Sequence, residues 1–200
     1  DAQESRGLGD VYKRQVYEQI CLAAASADED RGTAIYYVLH RAFGGGRCEK
    51  RVMEALADPY VSRVAKLALC VKREYHHYFG FVRFREIGGR FLLAKIQTGN
   101  DILSLMALHF SNRFPNENWV IYDEKRQKAL CHEKGKECVM RKGVRIQVPG
   151  SAVGDMGEYE ELWQTFCDSI SIEARRNEKL QKQMLALHFR SNMPEFSVKG

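Results

Sequence analysis

Three residues in the middle of the chain have side chains suited to acid–base chemistry. His109 and Arg113 are four positions apart and share one face if this segment is helical, and Asp123 follows ten residues later. Histidine changes its protonation near neutral pH, and a carboxylate can orient it. A hydrolytic enzyme with His109 and Asp123 as its catalytic pair is therefore one hypothesis. A hydrogen-bonded core histidine is the structural alternative.

Cationic side chains are concentrated in the middle third of the sequence. The 200 residues have a net charge of +5, and residues 71–150 carry 15 basic and 8 acidic side chains. Residues 1–70 carry 10 of each, and residues 151–200 carry 6 and 8. A charge excess gathered in one segment favours binding to a polyanion. The residues predicted to bind nucleic acid are Arg83, Arg85, Arg113, Lys125, Arg126, Arg175 and Asn177.

These assignments also have structural alternatives. Arg83 and Arg85 are predicted to line one strand face, where they either bind a phosphate or extend past the sheet edge into water. The segment 123–126 is typical of a type I turn, in which the aspartate accepts hydrogen bonds from its own backbone. A buried Arg113 needs an anionic partner, either Asp123 or a ligand.

Helical spacing of apolar residues dominates the first half of the chain. It predicts helices over about 16–27, 32–43 and 48–57. Asp58 and Pro59 then form a helix start signal, because Asp caps well and Pro tolerates the first helical position. We expect Gly80 to end that helix.

Alternation with period two marks the strands of the second half. Runs 81–87 and 90–97 flank Gly88-Gly89, which predicts a hairpin with a two-residue turn. That register places Arg83 and Arg85 on the face of Leu92, Ala94 and Ile96. Further strands are predicted over 119–123, 128–132 and 137–141.

Two helices complete the predicted α+β fold, which has a helical N-terminal half followed by an antiparallel sheet of two hairpins. One helix, 101–114, crosses the sheet, and a long C-terminal helix spans 158–185. Glu173 and Asn177 interrupt the apolar stripe of the long helix. Either the helix breaks near 169–171, or these residues face a cleft with Arg175 or Arg176 at its rim.

The organisation predicted from these patterns is a single α+β domain over residues 16–196. Its helical part covers 16–78 and its sheet-containing part 79–196. Residues 1–15 are polar and aperiodic, and we expect a non-native or disordered leader there. No stretch has the length and apolarity of a membrane span or secretion signal, which predicts a cytoplasmic protein with no membrane contact.

A metal site is not predicted from the six cysteines. The nearest candidate group is Cys131, His132 and Cys138, and adjacent residues of a strand point to opposite faces. No phosphate-loop sequence is present either, so we expect neither a metal nor another cofactor.

Five ordered segments resemble an uncharacterised bacterial domain family labelled as a DNA metabolism protein. They are Tyr78-Phe79-Gly80-Phe81-Val82-Arg83-Phe84, His109-Phe110-Ser111-Asn112-Arg113-Phe114-Pro115, Trp119-Val120-Ile121-Tyr122-Asp123-Glu124-Lys125-Arg126, Leu162-Trp163 and Ile172-Glu173-Ala174-Arg175-Arg176-Asn177. The resemblance covers about residues 16–196. It implies action beside a radical SAM protein in DNA modification or repair, and in some members fusion to a uracil-DNA glycosylase-like domain. Family members usually open with a Tyr-Asp-Gly-Ser-Phe-like strand that this chain lacks, which suggests a truncated start.

Three functional hypotheses follow. The first is an accessory domain that binds DNA weakly and in a salt-dependent manner, with Phe79, Phe81, Trp119 or Tyr122 stacking on a base. The second is a protein-interaction scaffold for the radical SAM partner, and the third is the hydrolytic enzyme.

Overall fold

The computed structural model describes residues 14–44, 52–89, 91–146, 177–190, 193 and 196. The chain divides into two compact units. Unit 1 comprises Asp1–His77 and Gly99–Ile102, and unit 2 comprises Tyr78–Thr98 and Leu103–Gly200. Within the described residues, no helix has the length and apolar character required to cross a membrane.

Unit 1 is helical, but the predicted helix 48–57 is wrong in its described part, where only Val52–Glu54 is helical, as a 3-10 turn. Helix α1 covers residues 14–24, α2 is Arg31–Phe43, and α3 is Pro59–Phe81, with a 3-10 turn at Val52–Glu54 before it. Small and branched apolar side chains at helical spacing form the core between them. The buried residues are Val16, Ala23, Ala34, Val38, Ala42, Val52, Met53, Val61, Val64 and Leu67.

The start of α3 confirms the predicted cap. Asp58 Oδ1 accepts hydrogen bonds from the backbone N–H groups of Tyr60 and Val61, at 2.8 and 3.2 Å. These are two of the donors that a helix start leaves without a partner inside the helix. The helix continues through Gly80 to Phe81, so the predicted end at Gly80 is wrong by one residue. Packing along the helix outweighs the weak helix preference of one glycine.

Unit 2 contains a five-stranded sheet, and the α+β class is confirmed. The strands are β1 Arg85–Ile87, β2 Phe91–Ile96, β3 Trp119–Asp123, β4 Lys128–His132 and β5 Val139–Lys142, in that spatial order. The last strand begins and ends later than the predicted 137–141.

The sheet is mixed, which corrects the prediction of an antiparallel sheet. β2 and β3 pair in parallel, with Ala94 opposite Ile121, while the other three pairs of strands are antiparallel. Helix α4, Leu103–Arg113, connects β2 to β3. A parallel neighbour requires a crossover of this kind, because a short turn can only reverse the chain.

Each face of the sheet has its own apolar cover. Trp119, Ile121 and Asp123 share one face, against which α4 packs through Phe110, whose ring centroid lies 6.1 Å from that of Trp119. On the other face, Ile87, Leu93, Tyr122 and Ala129 form a separate core cluster. The central strand is thus buried on both sides.

The first hairpin differs in register from the prediction. Gly88 and Gly89 have the expected positive φ angles, 60° and 63°, but Ile87 pairs with Phe91, so three residues separate the strands. Arg85 therefore opposes Leu93 rather than Leu92. A shift of one residue moves each side chain to the other face.

The described C-terminal residues form two short helices, α5 Glu178–Met184 and α6 Leu187–Arg190. Asn177 precedes α5 and its Oδ1 accepts a hydrogen bond from Leu180 N–H at 2.9 Å. The prediction of one continuous helix over 158–185 is therefore wrong at Asn177, which is the N-cap of α5. The predicted positions of Glu173 and Arg175 and the first part of the helix 48–57 lie outside the described residues.

The cap at Asp58 makes part of the stability dependent on pH. The hydrogen bond from Val61 N–H lowers the pKa of the Asp58 carboxyl, Tyr60 N–H and Arg41 contribute in the same direction, and burial opposes them. A lowered folded-state pKa stabilises the fold above the unfolded-state pKa, and this contribution is lost as pH falls through the folded-state value.

We therefore expect Asp58→Ala to lower the unfolding temperature at pH 7, with a smaller difference from the native chain near pH 3. Thermal unfolding followed by circular dichroism at both pH values measures this. Asp58→Asn is the control, since the amide oxygen keeps the cap while the charge is absent. Equal losses for Asp58→Ala at both pH values would contradict the role of the charge.

Candidate nucleic-acid interface

A buried polar cluster joins the ends of the two parallel strands. Asp123, the last residue of β3, is fully buried, and Thr98, two residues beyond β2, is 1% exposed. The Thr98 hydroxyl donates to Asp123 Oδ2 at 2.7 Å. The backbone N–H groups of Lys125 and Arg126 donate to Asp123 Oδ1 at 3.0 and 3.3 Å, as the turn prediction requires.

Arg126 closes this cluster. Its Nη1 donates to the carbonyl oxygen and hydroxyl of Thr98, at 2.8 and 2.7 Å, and to Asp123 Oδ2 at 3.2 Å. Its side chain is only 17% exposed. A buried carboxylate is tolerated when a cation and hydrogen-bond donors surround it, and Asp123 has both. Arg126 therefore has a structural role, because it links Thr98, which follows β2, to Asp123 at the end of β3.

Four cationic residues lie around this turn, and we call them the basic end: Lys125, Lys128, Lys142 and Arg145. Lys128 is the pairing partner of Asp123 on one side and of Lys142 on the other. Val144 N–H donates to Gln127 O at 3.0 Å, which places Arg145 beside the turn. Lys125, Lys142 and Arg145 are exposed and form no ion pair with any residue the structure describes.

The acidic residues near the basic end are already paired. Glu124 contacts Lys95 Nζ at 3.5 Å and accepts a hydrogen bond from Gln97 Nε2 at 3.0 Å. Asp123 is paired with Arg126. Unpaired positive charge consequently remains at this end of the sheet, where a polyanion could bind.

The opposite end of the same hairpin differs in charge. The turn there contains Lys134 and Lys136 together with Glu133 and Glu137, so its formal charges cancel. Lys136 Nζ donates to both carboxylate oxygens of Glu133 at 2.8 Å. The positive charge of the hairpin is therefore located mainly at the basic end.

The two predicted arginines at the first hairpin occupy different environments. Arg83 precedes β1, and its Nη1 donates to the Gly80 carbonyl oxygen at 2.8 Å, near the end of α3. Arg85 is exposed on β1, at the sheet edge farthest from β5. Strands are about 4.8 Å apart, so the Arg85 backbone lies about 19 Å from β5, across four strand spacings.

Neither His109 nor Arg113 hydrogen-bonds to Asp123 in the described part of the chain. The His109 ring stacks on Phe79 with centroids 3.9 Å apart and planes 10° apart. The Arg113 guanidinium carbon lies 5.6 Å from the Phe114 ring centroid. The described residues therefore show no direct contact between His109 and Asp123 that would support an acid–base pair.

The aromatic residues predicted to stack on bases are occupied within the fold. Trp119 is fully buried and Tyr122 is 6% exposed. Phe79 stacks on His109, and Phe81 lies 5.1 Å from Phe189 between ring centroids. All four rings are therefore buried or packed against other side chains of the fold.

The cysteine–histidine group is divided by the sheet, as its sequence predicts. His132 stacks on Trp119 on the α4 face, whereas Cys131 packs against the core cluster of the opposite face. Burial raises the pKa of the Cys131 thiol, which disfavours the thiolate that metals bind. The described residues contain no group of three metal-ligating side chains.

Sequence reasoning missed the parts played by Thr98, Lys128 and Lys142. Thr98 gives no signal, because its role depends on the parallel pairing. The sequence does contain a signal for the pairing of Lys128 with Lys142, because Gly135 lies halfway between them. Gly135 has a positive φ of 75°, as a tight turn requires. A hairpin centred on Gly135 brings them opposite each other.

A model of a protein family described as a domain of unknown function (DUF4130) matches residues 29–195. The chain belongs to this family. The match confirms the expected membership of an uncharacterised domain family, and its description specifies neither a reaction nor a partner. Searches of curated proteins and of solved structures find no match to this DUF4130 chain.

The buried cluster predicts a large difference between two neighbouring cations. We expect Arg126→Ala to lower the free energy of unfolding by about 3 kcal/mol, because it leaves a buried carboxylate without its cation. Lys125→Ala, the matched control, should change it by less than about 0.5 kcal/mol. Urea unfolding monitored by tryptophan fluorescence compares the two. Similar small losses in both variants would show that the cluster is not required for the fold.

Proposed function

We propose that this domain is a nucleic-acid-associated accessory domain whose basic end contacts the phosphate backbone. The observation that carries the proposal is the grouping of Lys125, Lys142 and Arg145 as exposed cations with no carboxylate partner among the described residues. Lys128 adds a fourth cationic group through its pairing with Lys142. Several cations on one side of a domain release counterions from DNA more effectively than scattered ones.

The form of the basic end favours contact with phosphates rather than base reading. The turn and the hairpin are held by backbone pairing and by the buried Asp123 cluster, so the lysines project from a fixed base. Ammonium groups act as mobile point charges, which suits nonspecific attraction to phosphates. We therefore expect little sequence preference.

The proposal extends to the process in which the domain acts and to its partner protein. The five ordered segments that resemble the DNA metabolism family support a role in DNA modification or repair. A radical SAM protein is the partner that this resemblance implies, and a uracil-DNA glycosylase-like protein is the second. In this proposal the partner performs the chemistry while the domain holds the nucleic acid.

The salt dependence of binding tests the proposal. Labelled single- and double-stranded oligonucleotides, titrated with the full chain and followed by fluorescence anisotropy, should give weak binding. About four neutralised phosphates should produce a slope of roughly −3 to −4 in log affinity against log salt. The double variant Lys125→Ala/Lys142→Ala should flatten that slope by up to about two units on every sequence.

The matched control removes the same charge from the other end of the hairpin. Lys134→Ala/Lys136→Ala should leave the slope nearly unchanged, because Glu133 and Glu137 already balance those lysines. Arg83→Ala/Arg85→Ala tests the edge predicted from the sequence in the same way. Equal effects of the two lysine pairs, or no binding at low salt, would overturn the proposed interface.

A further inference from the structure

The exposed side of α3 carries positive charge without the usual carboxylates. The residues that the helix buries within unit 1 are Val61, Val64, Leu67, Ala68 and Val71. The exposed residues as far as His77 include the cations Arg63, Lys66, Lys72 and Arg73 and no acidic residue. Exposed helices are commonly stabilised by pairs of opposite charge three or four positions apart. The exposed side of α3 has no such pair.

Three of these cations form no ion pair with any residue that the structure describes: Lys66, Lys72 and Arg73. Arg63 differs, because it pairs with Asp28 in the loop before α2. The unpaired positive charge therefore begins one turn after Arg63. We call Lys66, Lys72 and Arg73 the α3 face.

The one acidic residue of α3 is engaged elsewhere in unit 1. Glu74 Oε1 accepts a hydrogen bond from Gly99 N–H at 2.6 Å. Its Oε2 accepts hydrogen bonds from the backbone N–H and the side-chain amide of Asn100, at 3.0 and 2.5 Å. Three donors thus hold the Glu74 carboxylate against the segment 99–100. The cations of the α3 face remain unpaired for this reason.

We propose that the α3 face is a second phosphate-binding surface for nucleic acid, in addition to the basic end. This inference rests on the proposed function, since it assigns another contact to the same ligand. Lys66 and Arg73 are two turns apart on the same side of the helix, about 10.5 Å apart along its axis. Phosphates of one duplex strand are ~3.4 Å apart along the duplex, so the two cations can contact different phosphates.

The composition of the α3 face favours phosphates over a membrane or a protein partner. A helix that binds a lipid surface inserts its apolar side, and the apolar side of α3 is already buried. The centre of a protein interface is apolar or aromatic and has few charges. Between Lys66 and Arg73, Leu69 is the one large apolar side chain that is exposed. Phosphates are attracted by cations without an apolar centre.

Fluorescence anisotropy with labelled oligonucleotides at several salt concentrations tests the inference. Lys66→Ala/Arg73→Ala should flatten the slope of log affinity against log salt by roughly one to two units, on every sequence. Lys134→Ala/Lys136→Ala is the matched control, because it removes two cations that neighbouring carboxylates already balance. Far-UV circular dichroism should be the same for the native chain and both variants, since the replaced residues are exposed.

Cys70 provides a second test, because it is exposed and lies between Lys66 and Arg73 on the same side of α3. The full chain is treated with a neutral maleimide, and mass spectrometry identifies the labelled peptides. With an oligonucleotide at about ten times its Kd, labelling of Cys70 should slow roughly five- to tenfold, because about nine chains in ten are occupied. Cys21, exposed on α1, is the internal control and should react at an unchanged rate.

The outcomes separate the α3 face from the basic end. A slope that changes only in Lys125→Ala/Lys142→Ala would overturn the α3 face and support the basic end alone. A slope that changes only in Lys66→Ala/Arg73→Ala would support the α3 face and overturn the proposed basic end. Labelling of Cys70 at the same rate with and without the oligonucleotide would overturn the inference. Protection of Cys70 by phosphatidylserine vesicles, but not by the oligonucleotide, would also overturn it and assign the surface to a membrane.

Discussion

Asp123 imposes the main constraint on the sheet-containing unit. Its carboxylate is fully buried at the end of β3 and has four donors: the Thr98 hydroxyl, two backbone N–H groups and the Arg126 guanidinium. A buried carboxylate without such partners would be strongly unfavourable. Thr98 lies beyond the neighbouring parallel strand, so the cluster connects the ends of β2 and β3 as well as closing the β3–β4 turn.

This constraint explains why the charge remaining nearby is positive. Asp123 is inside the fold and engages Arg126, and Glu124 lies between Lys95 and Gln97. The acidic residues of the turn are thereby engaged, while Lys125 and Lys142 remain at the surface. The turn that the fold requires thus also determines where unpaired cations lie. The basic end has a net positive charge, whereas at the other end of the hairpin Glu133 and Glu137 balance Lys134 and Lys136.

Local signals in the sequence predicted most elements, and pairings between distant segments account for the errors. The Asp58 cap and the turn at Asp123 depend on neighbours within three residues, and both are present. The parallel pairing of β2 with β3 depends on how a helix returns the chain to the sheet, which periodicity does not encode. The predicted register at Gly88-Gly89 is wrong by one residue, which moves Arg85 from the face of Leu92 to that of Leu93, and β1 begins only at Arg85, so Arg83 lies outside the strand. Thr98 could not be found without the parallel pairing.

Burial of the aromatic residues limits what the basic end can recognise. In the described part of unit 2, the exposed large apolar side chains are Leu108, Val139, Leu180, Met184 and Leu187, none of them aromatic. Stacking on the bases of a single strand requires aromatic side chains, whereas cations attract phosphates without them. Binding through the basic end is therefore expected to come mainly from counterion release, with little energy from stacking. Any distinction between sequences would then have to come from a partner protein.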